Sequence, residues 1–251
     1  MRHIVCMIAG DERDAGPIGV AKMLARRTDA TVALLHARVP GADPPVFDEP
    51  GVSVLLDDGP AADVAARALE RLSADLLVMG RSEDGTPGHG EHGRSILRAA
   101  GCPVLVIPER APLTFASAVV GMDLSPGALE ALAWAHALVS PAAAPRITCV
   151  AIVSPEGAKP EALGRSFRAA IAERGLAEPE LELVPGASPA DALVERSARC
   201  DLVCVGSRGL SPLASALLGS TAERVAARAA CPVLVVRHRG DARGLFGALF
   251  G

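Results

Sequence analysis

Residues Asp201–Arg237 read DLVCVGSRGLSPLASALLGSTAERVAARAACPVLVVR, and the order of the parts decides the fold. Leu202–Val205 is a short apolar run closed by Gly206, as expected of a strand buried on both faces. Gly206-Ser-Arg-Gly209 follows, then nine residues, then Gly219-Ser220-Thr221 and a helical pattern. A second apolar run begins after Cys231-Pro232. Strand, glycine loop, helix and strand is the order in which α/β folds build anion sites. The glycines let the backbone approach a phosphate, and the helix start supplies free N–H groups at a positive dipole end. Each part also has a structural reading. Ser220-x-x-Glu223 is a capping-box pattern, and Gly206 and Gly209 suit a plain turn.

The same unit is written twice. Asp75-Leu-Leu-Val-Met-Gly80 matches Asp201-Leu-Val-Cys-Val-Gly206 at an offset of 126, and Cys102-Pro-Val-Leu-Val-Ile107 matches Cys231-Pro-Val-Leu-Val-Val236 at 129. The three-residue difference is assigned to the last helix of the unit, shorter in the first copy. At the front, Ile4–Gly10 aligns with Val119–Ser125, which sets Ile8 opposite Asp123. In the first half, strands are expected near 3–8, 31–36, 52–56, 75–79 and 103–107, with helices near 17–27, 60–73 and 94–100. In the second, strands fall near 117–122, 146–152, 180–184, 201–205 and 232–236, with helices near 126–139, 159–174, 189–199 and 220–229. The proline-rich cluster Pro40–Gly51 reads as irregular where the second copy has a helix, Glu161–Glu173. Alternating strands and helices imply parallel sheets covered on both faces. The domains are expected at 1–110 and 115–238, joined by a linker within Pro108–Thr114, with 239–251 as a tail outside the repeat.

Composition narrows the functional classes. The chain has 251 residues, half of them hydrophobic, and a net charge of −4 with 2% aromatics. That balance argues against nucleic acid, which asks for basic patches and stacking rings. No apolar stretch approaches the length of a membrane span, and Asp11-Glu-Arg-Asp14 after a short apolar start does not suit a signal peptide. The six cysteines lie mostly in or beside strands without metal-ligand pairing and read as small buried hydrophobes. A cytoplasmic location is expected.

The spacing G-x2-G-x9-G-[ST] in Gly206–Ser220, placed after an Asp-Leu-(apolar)-Gly strand, resembles the ATP-binding signature of the universal stress protein family. The repeat over nearly the whole chain resembles a tandem member. The resemblance implies an α/β fold of two five-stranded parallel sheets, strand order 3-2-1-4-5, Rossmann-like and of the adenine nucleotide alpha hydrolase-like type. The ligand would sit beyond the carboxyl ends of strands 1 and 4. ATP, or AMP or ADP, would then lie among Val205, Gly206, Ser207, Arg208, Gly209, Gly219, Ser220 and Thr221. Asp123 would stand beside ribose, phosphates and Mg2+, and Ile152 would pack on adenine. Asp123 also suits a helix cap ahead of Pro126, Arg208 suits solvent, and any strand end accommodates an aliphatic such as Ile152. Leu210, Leu213, Leu217 and Leu218 are expected to pack the long loop onto the core.

The first half lacks these elements. Ile8 replaces Asp123, Glu83 replaces the second glycine, Gly93 holds the place of Gly219, and Arg94 replaces the hydroxyl. A carboxylate repels phosphate, and an arginine at a helix start opposes the dipole. Arg94 has Glu83 and Glu91 as candidate partners. Gly88-His-Gly-Glu-His-Gly93 fits G-x-G-x-x-G but stands eight residues beyond its strand, too far for a dinucleotide turn. His89 and His92 have no cysteine nearby to complete a metal site.

The leading reading is therefore an ATP-binding regulatory protein with one nucleotide site per chain and little or no hydrolysis. The alternatives are a nucleotide-free interaction scaffold and a slow ATPase or adenylating enzyme on the same fold. Against the last, Gly121-Met-Asp-Leu-Ser125 departs from the S-G-G-x-D-S loop of adenylating enzymes, and no G-x4-G-K-[ST] occurs. The two halves are expected to pack as a pseudo-dimer through Val104–Ile107 and Val233–Val236, since exposed apolar edges must be covered. Further pairing of two chains is left open.

Overall fold

The computed structural model describes residues 1–38, 51–81, 91–109, 111, 114–139, 146–154, 157, 159–186, 188–207 and 219–237. The first half runs β1 (His3–Met7), a 3-10 turn (Glu12–Asp14), α1 (Ala15–Thr28), β2 (Thr31–Arg38), β3 (Ser53–Asp58), α2 (Ala61–Arg71), β4 (Leu76–Arg81), α3 (Glu91–Ala99) and β5 (Val104–Pro108). The second runs β6 (Ser117–Gly121), α4 (Pro126–Leu138), β7 (Arg146–Val153), α5 (Pro160–Glu173), β8 (Glu180–Pro185), α6 (Pro189–Arg196), a 3-10 turn (Ser197–Arg199), β9 (Leu202–Ser207), α7 (Ser220–Arg228) and β10 (Val233–Arg237).

All ten strands form one sheet in the order β3-β2-β1-β4-β5-β10-β9-β6-β7-β8. Each half has the order 3-2-1-4-5, and every neighbouring pair is parallel except the central one. There β5 and β10 run antiparallel, Val104 opposite Val235 and Val106 opposite Val233. Two apolar strands that would be exposed edges in separate halves thus cover each other. The apolar strands are sandwiched between two cores. One is built on α1, α4 and α5, with Trp134, Leu24 and Phe167 fully buried, and the other on α2, α3, α6 and α7.

The shared Asp-Leu at the start of β4 and β9 has a structural reason. The Asp75 carboxylate accepts the backbone N–H of Arg2 and His3 at 2.5 and 3.1 Å. Asp201 accepts those of Ala116 and Ser117, both at 2.9 Å, and the Ser117 hydroxyl. Each carboxylate ties the entry of one strand to the entry of its neighbour and satisfies amides at the amino end of an interior strand.

Arginines clasp the two halves. Arg81, at the end of β4, donates to the carbonyls of Ala226 and Ala229 at the C-terminus of α7, at 2.8 and 2.5 Å. Arg237, at the end of β10, donates to Leu97 and Arg98 at the C-terminus of α3. Each places a cation where a helix leaves carbonyls unpaired. Arg98 and Glu223 pair at 2.7 Å, and Arg27 of α1 reaches the Leu138 carbonyl at the end of α4, also at 2.7 Å.

Two alignments of the repeat need correcting. Counted back from Cys102-Pro and Cys231-Pro, α3 and α7 keep the offset of 129 through the nine residues described in each, so the three-residue difference lies ahead of Glu91. Glu91 then corresponds to Ser220, and Gly90 to Gly219; Gly93 lies inside α3, and Arg94 stands one place further in. At the front, Ile4 pairs with Leu76 whereas Ala118 pairs with Leu202. The counterpart of Ile8 is therefore Met122, both buried, and Ala9 stands where Asp123 stands. In addition, the helix expected over 189–199 changes to the 3-10 turn at Ser197.

Candidate functional site at the switch point of the second half

The strand order reverses between β6 and β9, and their carboxyl ends open into a cavity of about 620 Å3. Such a crevice is where open α/β sheets take ligands. Asp123, Ile152, Val205, Gly206, Gly219, Ser220 and Thr221 all line it. Residues separated by almost a hundred positions in sequence therefore converge on one space.

Asp123 follows β6 in a sharp turn, with Leu124 in the left-handed region at φ 59°. Its Oδ1 accepts the Ser125 N–H at 2.9 Å, and Oδ2 has no partner among the described residues. The helix-capping role belongs instead to Ser125, whose Oγ accepts the Ala128 N–H at 3.2 Å, with Pro126 opening α4. Asp123 itself is exposed at the cavity wall, where Oδ2, unpartnered by any described residue, suits a cation or a hydroxyl.

On the facing side, α7 begins at Ser220, with Gly219 as N-cap at φ −62° and ψ 137°. Ser220-x-x-Glu223 is consequently not a capping box, because Ser220 is already helical and Glu223 pairs with Arg98. Glycine offers no side chain to the first-turn N–H groups, which Ser220, Thr221 and Ala222 bring to the cavity wall.

Gly206 has a reason independent of any ligand. A Cβ there would stand 2.4 Å from the Gly127 carbonyl carbon and 2.6 Å from the Ala128 nitrogen. The first turn of α4 rests directly on the end of β9. Ser207 is buried and does not line the cavity, while Arg208 and Gly209 lie outside the described residues, as do Leu210, Leu213, Leu217 and Leu218.

The sequence reading missed Ser125, Ser154, Gly157, Leu163 and Leu193 as cavity lining. Ser125 was legible as the cap ahead of Pro126. Leu163 comes from α5, and no motif announces the side wall that this helix supplies. Among the described residues, no group of three or more His, Cys, Asp or Glu is placed to hold a metal.

The first half has its own cavity at the equivalent place, about 400 Å3, lined by Ile8, Ala9, Asp14, Ala37, Gly80 and Arg81 among others. Its amides are already engaged. Asp14, 7% exposed, accepts the N–H groups of Ala9, Gly10 and Asp11 at 2.9, 2.7 and 3.1 Å. An internal carboxylate thus satisfies the donors of this loop, the counterpart of the Asp123 turn, and sets a negative charge beside the cavity. Arg13 pairs with Asp11 at 2.6 Å, and the guanidinium of Arg81, at the place of Ser207, is engaged at the end of α7. Side-chain contacts of Glu91 and His92, and the positions of Glu83 and Gly88–Gly90, lie outside the described residues.

Comparison with known proteins agrees with this architecture. The model of the universal stress protein family matches residues 46–108 and again 114–237. The chain belongs to that family. It is 34% identical over 189 residues to universal stress protein Rv2005c of Mycobacterium tuberculosis, an alignment covering 66% of this chain and 62% of that one. It is 32% identical over 140 residues to Rv2624c of the same organism, covering 51% and 50%. The chain thus spans between half and two thirds of the length of these relatives. A universal stress protein from Archaeoglobus fulgidus superposes with a TM-score of 0.69 over 94% of this chain and 98% of its own, at 17% identity, which speaks to the fold alone.

Proposed function

We propose that this chain binds one adenine nucleotide, ATP with Mg2+, in the second-half cavity and acts as a nucleotide-responsive regulatory protein. The observation that carries the reading is the meeting of Asp123 with the uncapped start of α7 across a cavity of about 620 Å3. The volume lies within the range of small-molecule sites. In this arrangement the amides and hydroxyls of Ser220 and Thr221 bind phosphate oxygens at the positive end of α7. Ile152 supplies an apolar surface for the base, and Asp123 orients the ribose or a phosphate-bound Mg2+. The described lining offers that metal one carboxylate, so the phosphates would supply most of its ligands.

Slow turnover follows from the same wall. Phosphoryl transfer needs a positioned nucleophile and charge neutralisation. Asp123 is the only titratable side chain among the described lining residues, and its role beside ribose and metal leaves no base to orient water. Bound ATP would then stabilise one conformation as a ligand. Denaturing the purified protein and identifying the released small molecules tests the reading. Adenine nucleotide near one per chain supports it. Nucleotide-free protein that also takes up none on incubation with MgATP contradicts it.

A further inference from the structure

The end of the sheet opposite the nucleotide cavity carries a feature that the proposed function does not use. Cys200 follows the 3-10 turn Ser197–Arg199 and precedes β9; Cys231 precedes Pro232 and β10. Since β9 and β10 are parallel neighbours, with Val203 opposite Val233, both cysteines stand at the entries of adjacent strands. Their sulfurs are 3.8 Å apart. The turns that carry them are pinned together by Ser197, 1% exposed, which accepts the Ala230 N–H at 2.8 Å and donates to the Val194 carbonyl at 2.6 Å. The approach of the two sulfurs is therefore built into the backbone.

We propose that Cys200 and Cys231 form a reversible dithiol–disulfide pair, oxidised by hydrogen peroxide. Cys200 is partly exposed and Cys231 is 4% exposed, so a small oxidant reaches Cys200 first. The two thiols hydrogen-bond to each other, and this contact holds Cys200 below the usual thiol range while Cys231 is pushed up. The Cys200 thiolate attacks one peroxide oxygen, the O–O bond breaks, and the departing hydroxide takes up the Cys200 proton as water. The Cys231 sulfur then attacks the sulfenic sulfur, its proton leaving with the hydroxyl as a second water. Two thiols lose two electrons and one peroxide gains them.

The repeat supplies an internal control. Leu77 and Val203 make the same backbone bond, to the carbonyls of Pro103 and Pro232. The counterparts of Cys231 and Cys200 are then Cys102 and Ala74, so the first half has one thiol where the second has two. Cys102 is buried, as are Cys6, Cys149 and Cys204, and burial pushes the thiols of Cys6, Cys149 and Cys204 up. The bond between Cys200 and Cys231 would close a ring around β9, the loop and α7, the whole strand–loop–helix unit.

The test uses the full chain, reduced, exposed to hydrogen peroxide, alkylated under denaturing conditions and digested. The expected result is a Cys200–Cys231 peptide pair reversed by thiol reductant, with the other four cysteines alkylated and the melting temperature raised. Cys231→Ala should give no crosslink and a Cys200 sulfenic acid trapped by dimedone. Cys200→Ala, which installs the residue the first half already carries, should fold and lose both signals. Oxidation of Cys200 to the sulfinic acid without a crosslink, a crosslink between chains, or peroxide consumed first at another cysteine would overturn the proposal.

Discussion

Gly206 and Gly127 touch backbone to backbone: a Cβ on Gly206 would lie 2.4 Å from the Gly127 carbonyl carbon and 2.7 Å from its oxygen. The contact seats the first turn of α4, and with it the Asp123 turn, on the end of β9. The glycine that heads the G-x2-G-x9-G-[ST] spacing is thus required by helix–strand packing, independently of any ligand. Gly206→Ala should destabilise the fold by about 1–3 kcal/mol through overpacking. Gly80→Ala, which meets only the ring of Pro17 at 3.3 Å, should cost less. Thermal melts decide the point, each kcal/mol shifting the midpoint by about 2–4 °C in a chain of this size. Equal midpoints for the two variants would show that the close approach is relieved by movement of α4.

Asp14 should matter to stability and not to nucleotide stoichiometry. Asp14→Ala leaves the N–H groups of Ala9, Gly10 and Asp11, in a half-buried to exposed turn, without their charged acceptor. A loss of about 2–3 kcal/mol is expected in denaturant titrations. Nucleotide binding in the second half should be unchanged.

Much of this was legible and some was not. Asp-Leu-(apolar)-Gly and Cys-Pro-(apolar) placed β4, β5, β9 and β10, because runs buried on both faces have few alternatives in an α/β chain. Register within loops was harder. Gly90 and Gly93 both stand ahead of the apolar positions Ile96 and Leu97, and only the helical conformation of Gly93 separates them. Ile8 and Ala9 are equally apolar, so no pattern decides which faces the Asp123 place. The role of Asp14 depends on a 3-10 turn that folds its carboxylate back onto three amides. That turn has no hydrophobic period. Arg81 gave no sign either, since its partners are carbonyls in the other half.

Loss of a clasp should loosen α7. Arg81→Met keeps the apolar stem and removes the donors to Ala226 and Ala229. A loss of about 1–2 kcal/mol is expected, with faster amide exchange at the end of α7. Unchanged exchange there would mean that water replaces the guanidinium without cost.

His136 should make stability fall in mild acid. Burial in α4 disfavours its charged form and lowers its pKa from 6.5, while a backbone hydrogen bond with Ala177 opposes the shift. The folded state therefore binds fewer protons than the unfolded one. Its contribution is fully present above the unfolded value of about 6.5 and declines as pH drops toward the depressed folded value. Below that value the loss levels off. Denaturant titrations of the wild type and His136→Gln across this window should diverge as pH falls, the wild type losing more. Parallel profiles would show that His136 titrates alike in both states.

The central claim, one nucleotide site in the second half, is tested most directly by calorimetry with MgATP. Gly219 has a backbone conformation open to valine, so Gly219→Val adds bulk at the cavity wall without left-handed strain. Gly90→Val is the matched change ahead of α3. The predicted result is one site per wild-type chain, no binding in Gly219→Val, and one site retained in Gly90→Val. Two sites, none, or loss in Gly90→Val rather than Gly219→Val would contradict the account.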